Sequence, residues 1–169
     1  RCFLPYADEK SAHRLSERRD ELLTTLERHG WDGAWYLRAY DRGSEKIGAS
    51  SNRECRIDLR PQVWAVFCGL SKERCQLAME NVWQLLYEPD AGLLKLFTPP
   101  FEEENRPAFI PGNRENGDQS ASAACWAMGA YGRLGQSSHA WELALRLLPV
   151  YRGFDRQAAD QYRAEPYVM

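Results

Sequence analysis

Two short stretches of this chain set charged and amide side chains beside helix-sized apolar runs. One is Arg114-Glu115-Asn116-Gly117-Asp118-Gln119; the other is Glu54-Cys55-Arg56-Ile57-Asp58. Charges held near a core are costly unless they are paired or serve a site. Two such blocks point to a polar pocket at the end of a helical barrel, built for ion pairing and hydrogen bonding. Other chemistries are poorly served. Ser122 has no histidine nearby in sequence and no strained G-x-S-x-G elbow, so it does not read as a nucleophile. His13, His29 and His139 fall on polar helix faces or ends, without a cysteine or acid at metal-ligand spacing, and read as surface residues with no metal site. There is no glycine-rich phosphate loop and no dinucleotide fingerprint.

The elements that must position these blocks are mostly helices. Residues 8 to 29 read as a helix with Leu15, Leu22, Leu23 and Leu26 on one stripe, stopped by Gly30. Trp35, Leu37 and Ala39 alternate with Tyr36, Arg38 and Tyr40, a strand period, and a return near Lys46 to Ala49 makes a hairpin insertion over about residues 34–49. Asp32 between Trp31 and Trp35 reads as a tight turn packed on aromatics rather than a sugar platform. The run 56–70 reads as a buried helix carrying Val63, Trp64, Val66, Phe67 and Leu70. Pro61 places its regular start near Leu59 or Arg60. Ser71 caps an amphipathic helix to about Tyr87, with Cys75, Met79, Val82, Trp83 and Leu86 inward. Residues 98–118 form a long site loop with four prolines and the acidic run Glu102-Glu103-Glu104, read as solvated. Three further helices follow, over about 120–134, 138–148 and 155–163. The first is rich in small residues and suits the inside of a bundle. Helix pairs, one buried and one amphipathic, predict a mainly α fold: part of an α/α barrel with a short β-hairpin inserted, in a single segment 1–169.

The 169 residues are enough for one domain with a core, and 44% apolar with 27% charged residues is ordinary globular composition. A formal net charge of -2 favours neither nucleic acid nor an anionic membrane as partner. No apolar run reaches the roughly 18 residues of a transmembrane helix. Cys2, Cys55, Cys68, Cys75 and Cys125 include no C-x-x-C pair and read as reduced thiols. With no charged-then-apolar leader at Arg1-Cys2-Phe3, they suggest a cytoplasmic protein.

The blocks also carry a resemblance. Gly30-Trp31-Asp32-Gly33-Ala34-Trp35-Tyr36-Leu37-Arg38-Ala39-Tyr40 resembles a segment of glycoside hydrolase family 94. The likeness continues in residues 54–58 with Gln62 and Trp64-Ala65-Val66. It then runs through Leu96-Phe97-Thr98-Pro99-Pro100-Phe101, Pro111-Gly112 with Arg114-Glu115-Asn116-Gly117, and Glu165-Pro166-Tyr167-Val168. This family includes cellobiose and chitobiose phosphorylases and the C-terminal domain of cyclic β-1,2-glucan synthases, and the synthase type is most similar.

The resemblance implies an (α/α)6 barrel and inverting phosphorolysis of β-glucosides, in which an aspartic acid protonates the leaving oxygen and inorganic phosphate attacks from the opposite face. It implies no other cofactor. A β-glucan oligosaccharide or glucose-type sugar is the implied partner. The family's Trp-Asn-Asp-Gly motif with the catalytic aspartate falls upstream of the matched segment, and a phosphate-binding Thr-Gly pair falls downstream. The chain thus corresponds to an internal slice with no catalytic residue of its own, expected to be inactive alone and to self-associate through exposed barrel faces. The synthase-type resemblance also implies a parent that can attach to the inner membrane through other regions. Glu115 matches the glutamate that hydrogen-bonds the acceptor sugar, and Arg114, Asn116 and Gln119 match beside it. Three positions depart from the family. Phe109 stands where a tyrosine commonly lines the acceptor site, Asp118 replaces a glycine, and Ser122 replaces a phosphate-binding histidine. The last two weaken the case for phosphate and leave open a second reading, a degenerate carbohydrate-binding or interaction module without catalysis. A structural reading of Glu115 is an ion pair with Arg114 or Arg56; for Arg56 and Asp58 it is an internal salt bridge near a helix start.

Overall fold

The computed structural model describes residues 8–102, 109–154 and 156–163. Cys2, Glu103, Glu104, Pro107 and the 165–168 block lie outside them. Helix α1 spans Glu9–His29 and α2 Leu59–Cys68. Helix α3 spans Lys72–Leu86, α4 Ala121–Arg133, α5 Ser137–Leu147, α6 Pro149–Arg152 and α7 Arg156–Tyr162. Between them lie six two-residue strands: β1 Ala39–Tyr40, β2 Lys46–Ile47, β3 Ile57–Asp58, β4 Tyr87–Glu88, β5 Leu93–Leu94 and β6 Phe97–Thr98. They form three antiparallel pairs, β1 with β2, β3 with β6, and β4 with β5. The chain is therefore mainly helical. No helix among the described residues is long and apolar enough to cross a membrane.

Each of the first four long helices starts where a short polar side chain can take up an orphan amide. Asp8 accepts from the Ser11 N–H, Asp58 from Arg60, Ser71 from Arg74 and Ser120 from Ala123. Pro61 sits in the first turn of α2, where its missing N–H costs nothing. That helix ends at Gly69, whose φ of 77° is the left-handed cap that glycine adopts without strain.

Helices α2 and α3 form one hairpin, α4 and α5 a second, and α2 packs on α4 to join them. The core lies along this junction. Val63 and Val66 of α2 and Met79, Val82 and Leu86 of α3 meet Ala123, Ala124, Ala127 and Ala130 of α4. The alanines let backbones approach closely, and Tyr131 anchors the junction by donating its hydroxyl to the Met79 carbonyl at 2.9 Å. One fully buried amide pins the preceding segment: Gln62 accepts from the Tyr36 N–H and donates to the Tyr36 and Asp58 carbonyls, each at 2.8 Å.

Several expectations are corrected. Strand alternation fails after Trp31, because Trp35, Tyr36 and Leu37 are all buried while Ala39 is exposed. The extended run is too short for a two-faced strand. Tyr36 is held by an edge-on contact with Trp31, 5.0 Å between ring centres, and by its hydroxyl on Glu27. Trp64 was expected inside α2 but is 49% exposed, since α3 and α4 pack on other sides of that helix. The Leu15, Leu22 and Leu26 stripe of α1 is about half exposed, and no residue of that helix is buried. His139 is not a plain surface residue. Its ring lies 4.1 Å from Trp83 and 5.2 Å from Tyr131, and its Nδ1 is buried without a hydrogen-bond partner. Helix α6 was not anticipated; it opens on Pro149, a favoured first helical residue.

Candidate functional site

Both polar blocks hang from one extended segment. On one side, β3 pairs with β6, and the Cys55 and Arg56 N–H groups extend the ladder to the Pro99 and Thr98 carbonyls at 2.8 and 2.9 Å. On the other, the Leu96 N–H donates to the Asp118 carbonyl at 2.9 Å. Asn116, fully buried, clips the loop to the same segment. Its side-chain oxygen accepts from the Phe101 N–H at 2.8 Å, and its amide donates to the Phe101 and Phe109 carbonyls at 2.9 and 3.1 Å. Gly117, at φ 98°, packs so tightly that an added Cβ would lie 3.2 Å from the Phe97 carbonyl oxygen.

At the base of this arrangement is a carboxylate shared by two guanidiniums. Asp58 is inaccessible to solvent, and its Oδ2 lies 3.2 Å from Arg38 Nη1 and 3.1 Å from Arg60 Nη2. Its Oδ1 also caps α2 by accepting from the Arg60 N–H at 2.9 Å. The internal salt bridge expected of Asp58 is real, but its partners are Arg38 and Arg60 rather than the exposed Arg56. Arg38 lies over the Phe97 ring at 5.1 Å and donates to Cys55 Sγ at 3.6 Å. Burial pushes the Cys55 thiol up to about 11, against the pull of Arg38. Burial by itself would lower the Arg60 pKa; bonding to Asp58 outweighs it and the pKa is raised, with the Glu115 carboxylate contributing. The two blocks are thus linked electrostatically, through Glu115 and Arg60, rather than by an ion pair.

A groove of about 480 Å³ opens beside this cluster. Arg38, Asp58 and Arg60 form its polar end, and Leu26, Tyr36, Trp64 and Leu70 line the apolar remainder. Trp64 meets Trp126 of α4 edge-on at 5.5 Å between ring centres, giving an aromatic rim on the α2–α4 seam.

The residues singled out from sequence fall into three settings. Glu115 is exposed and forms no ion pair within 4 Å among the described residues, with Arg114 and Arg56 included. Arg114, at a left-handed φ of 47°, lays its guanidinium over the Phe109 ring at 5.3 Å. Asn116 and Gln119 serve the loop itself: Gln119 accepts from the Leu94 N–H at 2.8 Å and borders a different cleft, of about 730 Å³, between the β4–β5 turn and the last helices. Asp118 turns its carboxylate back on the loop, accepting from the Gln119 and Arg114 amides at 2.7 and 3.3 Å. Ser122 is exposed, its hydroxyl 3.1 Å from that of Ser120. Asp32 is a turn residue, accepting from the Ser50 N–H at 2.6 Å, and Trp35 donates to the Gly48 and Arg56 carbonyls from within the core. Sequence reasoning missed Arg38 and Arg60. The available signal was Arg60 two residues past a capping aspartate; the convergence with Arg38 is made only by folding.

Helical hairpins presenting a carboxylate, guanidiniums and indole edges beside a groove define a class: a helical domain with a groove that is polar at one end and aromatic along its rim. The particular family is settled by comparison. The chain matches the Glycosyl hydrolase 94 superfamily catalytic domain over residues 5–169 and belongs to that family. It is 39% identical to the cyclic beta-(1,2)-glucan synthase NdvB of Rhizobium meliloti (strain 1021), over 100% of this chain and 6% of the synthase. It is 32% identical to the solabiose phosphorylase of Paenibacillus borealis, over 95% of this chain and 21% of the relative. With the N,N'-diacetylchitobiose phosphorylase of Vibrio proteolyticus, identity is 31% over 85% of this chain and 19% of the relative. The chain therefore spans about a fifth or less of the length of these relatives.

Proposed function

We propose that this chain is part of the catalytic domain of a carbohydrate-active enzyme resembling the inverting β-glucoside phosphorylases and cyclic β-1,2-glucan synthases, and that it supplies the acceptor-sugar side of the site. The observation that carries this reading is Glu115: an exposed carboxylate without an ion-pair partner among the described residues, on a loop whose neighbouring amide, Asn116, is wholly committed to fixing the backbone. A carboxylate carried on a held loop backbone can accept hydrogen bonds from sugar hydroxyls, and charge-assisted bonds of this kind are the stronger ones. Arg114 and Phe109 flank it as a stacked pair, an apolar face with a cationic edge. In this reading Asn116 and Gln119 act through the loop rather than by touching the ligand, and Asp118 is a loop brace. The α2/α3 and α4/α5 hairpins are two units of a six-hairpin barrel, the rest of which comes from other parts of the polypeptide.

The general acid is assigned to none of the described residues, so the isolated chain is expected to bind sugar without turnover. Glucose or a β-glucan disaccharide should perturb amide resonances of residues 109–118. Glu115→Gln should weaken the affinity about tenfold, the size of one charge-assisted hydrogen bond. Equal affinity in the variant overturns the role of Glu115. Release of glucose 1-phosphate from a disaccharide and phosphate by the purified 169-residue chain would overturn the partial-site reading. The second reading, a binding module without catalysis, is favoured by Ser122, which offers a neutral hydroxyl where the resemblance places a histidine. It predicts that joining the chain to the remainder of its polypeptide restores no phosphorolysis.

A further inference from the structure

The cleft of about 730 Å³ between the β4–β5 turn and the last helices lies outside the acceptor-site reading. Its walls are tied together by side chains. Arg152 of α6 donates from Nη1 and Nη2 to the Ala91 and Gly92 carbonyls at 3.1 and 2.6 Å, and from Nε to the Arg146 carbonyl at 2.8 Å. One guanidinium thus clamps the β4–β5 turn to the end of α5. Arg146 packs its stem on Gly92, where an added Cβ would lie 2.8 Å from Cδ, and its Nε donates to Glu142 at 2.8 Å. Glu142 also accepts from the Tyr87 hydroxyl at 2.8 Å. A cleft with walls already held binds without the cost of ordering them.

Several groups in this cleft keep bonding capacity. Gln119 gives its side-chain oxygen to the Leu94 N–H at 2.8 Å, which anchors the amide; its side-chain nitrogen makes no hydrogen bond among the described residues. Arg146 is bonded to Glu142 through Nε, and its two Nη groups have no partner among the described residues. Asp90, in the β4–β5 turn, is exposed and forms no ion pair within 4 Å among the described residues. Tyr151 adds an aromatic face. It is 45% exposed and stacks on Phe154, with ring centres 5.9 Å apart and planes 20° apart.

The charges decide the class of ligand. Asp90 and Glu142 balance Arg146 and Arg152, so these groups give the cleft no net charge with which to draw an anion or a cation. The cleft offers instead amide and guanidinium donors, a carboxylate acceptor and an aromatic face. Its volume falls in the range of small-ligand sites, roughly 300–1,000 Å³. A neutral saccharide presents the matching mixture: hydroxyls that donate and accept, and C–H faces that pack on rings. We propose that this cleft is a second saccharide-binding site, taking a neutral glucose-type unit of a β-glucan chain. Gln119 and Arg146 donate to its hydroxyls, Asp90 accepts from them, and Tyr151 packs on the ring face. The identity of the sugar rests on the reading of this chain as part of a glucan-handling enzyme; the cleft itself does not depend on Glu115.

The test is a nuclear magnetic resonance titration of the purified chain with a linear β-1,2-linked glucan tetrasaccharide. It is followed at the Gln119 side-chain amide and at the backbone amides of residues 90–94 and 146–152. Saturable shifts are expected there. Asp90→Ala and Tyr151→Ala should each raise the dissociation constant read at these amides about tenfold. Both residues are exposed, so the fold should survive, and circular dichroism checks it. Glu115→Gln should leave this constant unchanged, and sodium phosphate at constant ionic strength should not displace the sugar. The proposal falls if these amides do not shift up to about 20 mM tetrasaccharide, if either alanine variant binds as wild type does, or if phosphate competes. Shifts confined to the backbone of residues 109–118 would leave the acceptor reading standing and remove this one. Shifts confined to the cleft and unaltered by Glu115→Gln would do the reverse.

Discussion

Asp58 shows how a single carboxylate can serve helix, core and site together. It caps α2, ties Arg38 to the β3–β6 ladder and orients Arg60. Replacing it by asparagine keeps the cap but leaves two guanidiniums facing each other around a neutral group. Asp58→Asn should cost about 2–3 kcal/mol, below the figure for a fully buried pair because both arginines are partly exposed. Chemical denaturation measures this, and an unchanged midpoint would show that water compensates the arginines. Thiol chemistry gives a second residue-level prediction. Cys55 and Cys75 are buried, and burial pushes both thiols up to about 11. Cys68 and Cys125 are exposed. At pH 8 a maleimide should label Cys68 and Cys125 rapidly, and Cys55 and Cys75 only on unfolding, since a raised thiol pKa leaves little nucleophilic thiolate. Peptide mapping of the labelled protein checks it; early labelling of Cys55 would contradict the buried cluster.

At the scale of elements, the site loop is held by side chains rather than by long strands. Asn116 makes three hydrogen bonds to the Phe101 and Phe109 backbone, and Gly117 fits against Phe97 only for lack of a Cβ. Asn116→Ala should destabilise the loop by about 2 kcal/mol, the cost of leaving buried backbone groups unpaired. It should also speed hydrogen exchange at the Phe101 amide while leaving the α2–α4 junction protected. Exchange that rises equally in α2 would mean that the loop and the hairpins open as one unit. Helix limits were largely legible, because Gly30, Pro61 and Ser71 announce them through local chemistry, although the reading through Leu70 overran the Gly69 cap. The setting of Trp64 was not. Helical periodicity marks which residues share a face, but only packing decides whether a neighbour covers that face.

For the whole molecule, the notable surface is apolar. Leu15, Leu22 and Leu26 of α1 and Trp64 of α2 are each 45 to 49% exposed, and Leu26 and Trp64 line one groove. In a longer polypeptide such a face is available to further helices. Alone, the chain should associate as concentration rises. Sedimentation equilibrium should show this, and Leu22→Glu with Leu26→Glu should shift the population toward monomer. A monodisperse monomer at every concentration would contradict it.

Sequence by itself determined the family, the helical class and most helix limits. These depend on local chemistry: caps, apolar period, turn residues and ordered motifs. Only the tertiary structure decided which polar groups meet. Arg38, Asp58 and Arg60 converge because β3 pairs with β6 and Gln62 pins Tyr36. Asn116 ties the second block's loop to the segment that pairs with the first block. Ion pairs between residues distant in sequence leave no periodic trace, so Asp58 was given Arg56 as its partner when the fold supplies Arg38 and Arg60. The same reason hid His139, whose polar helix face is covered by Trp83 and Tyr131 from other helices.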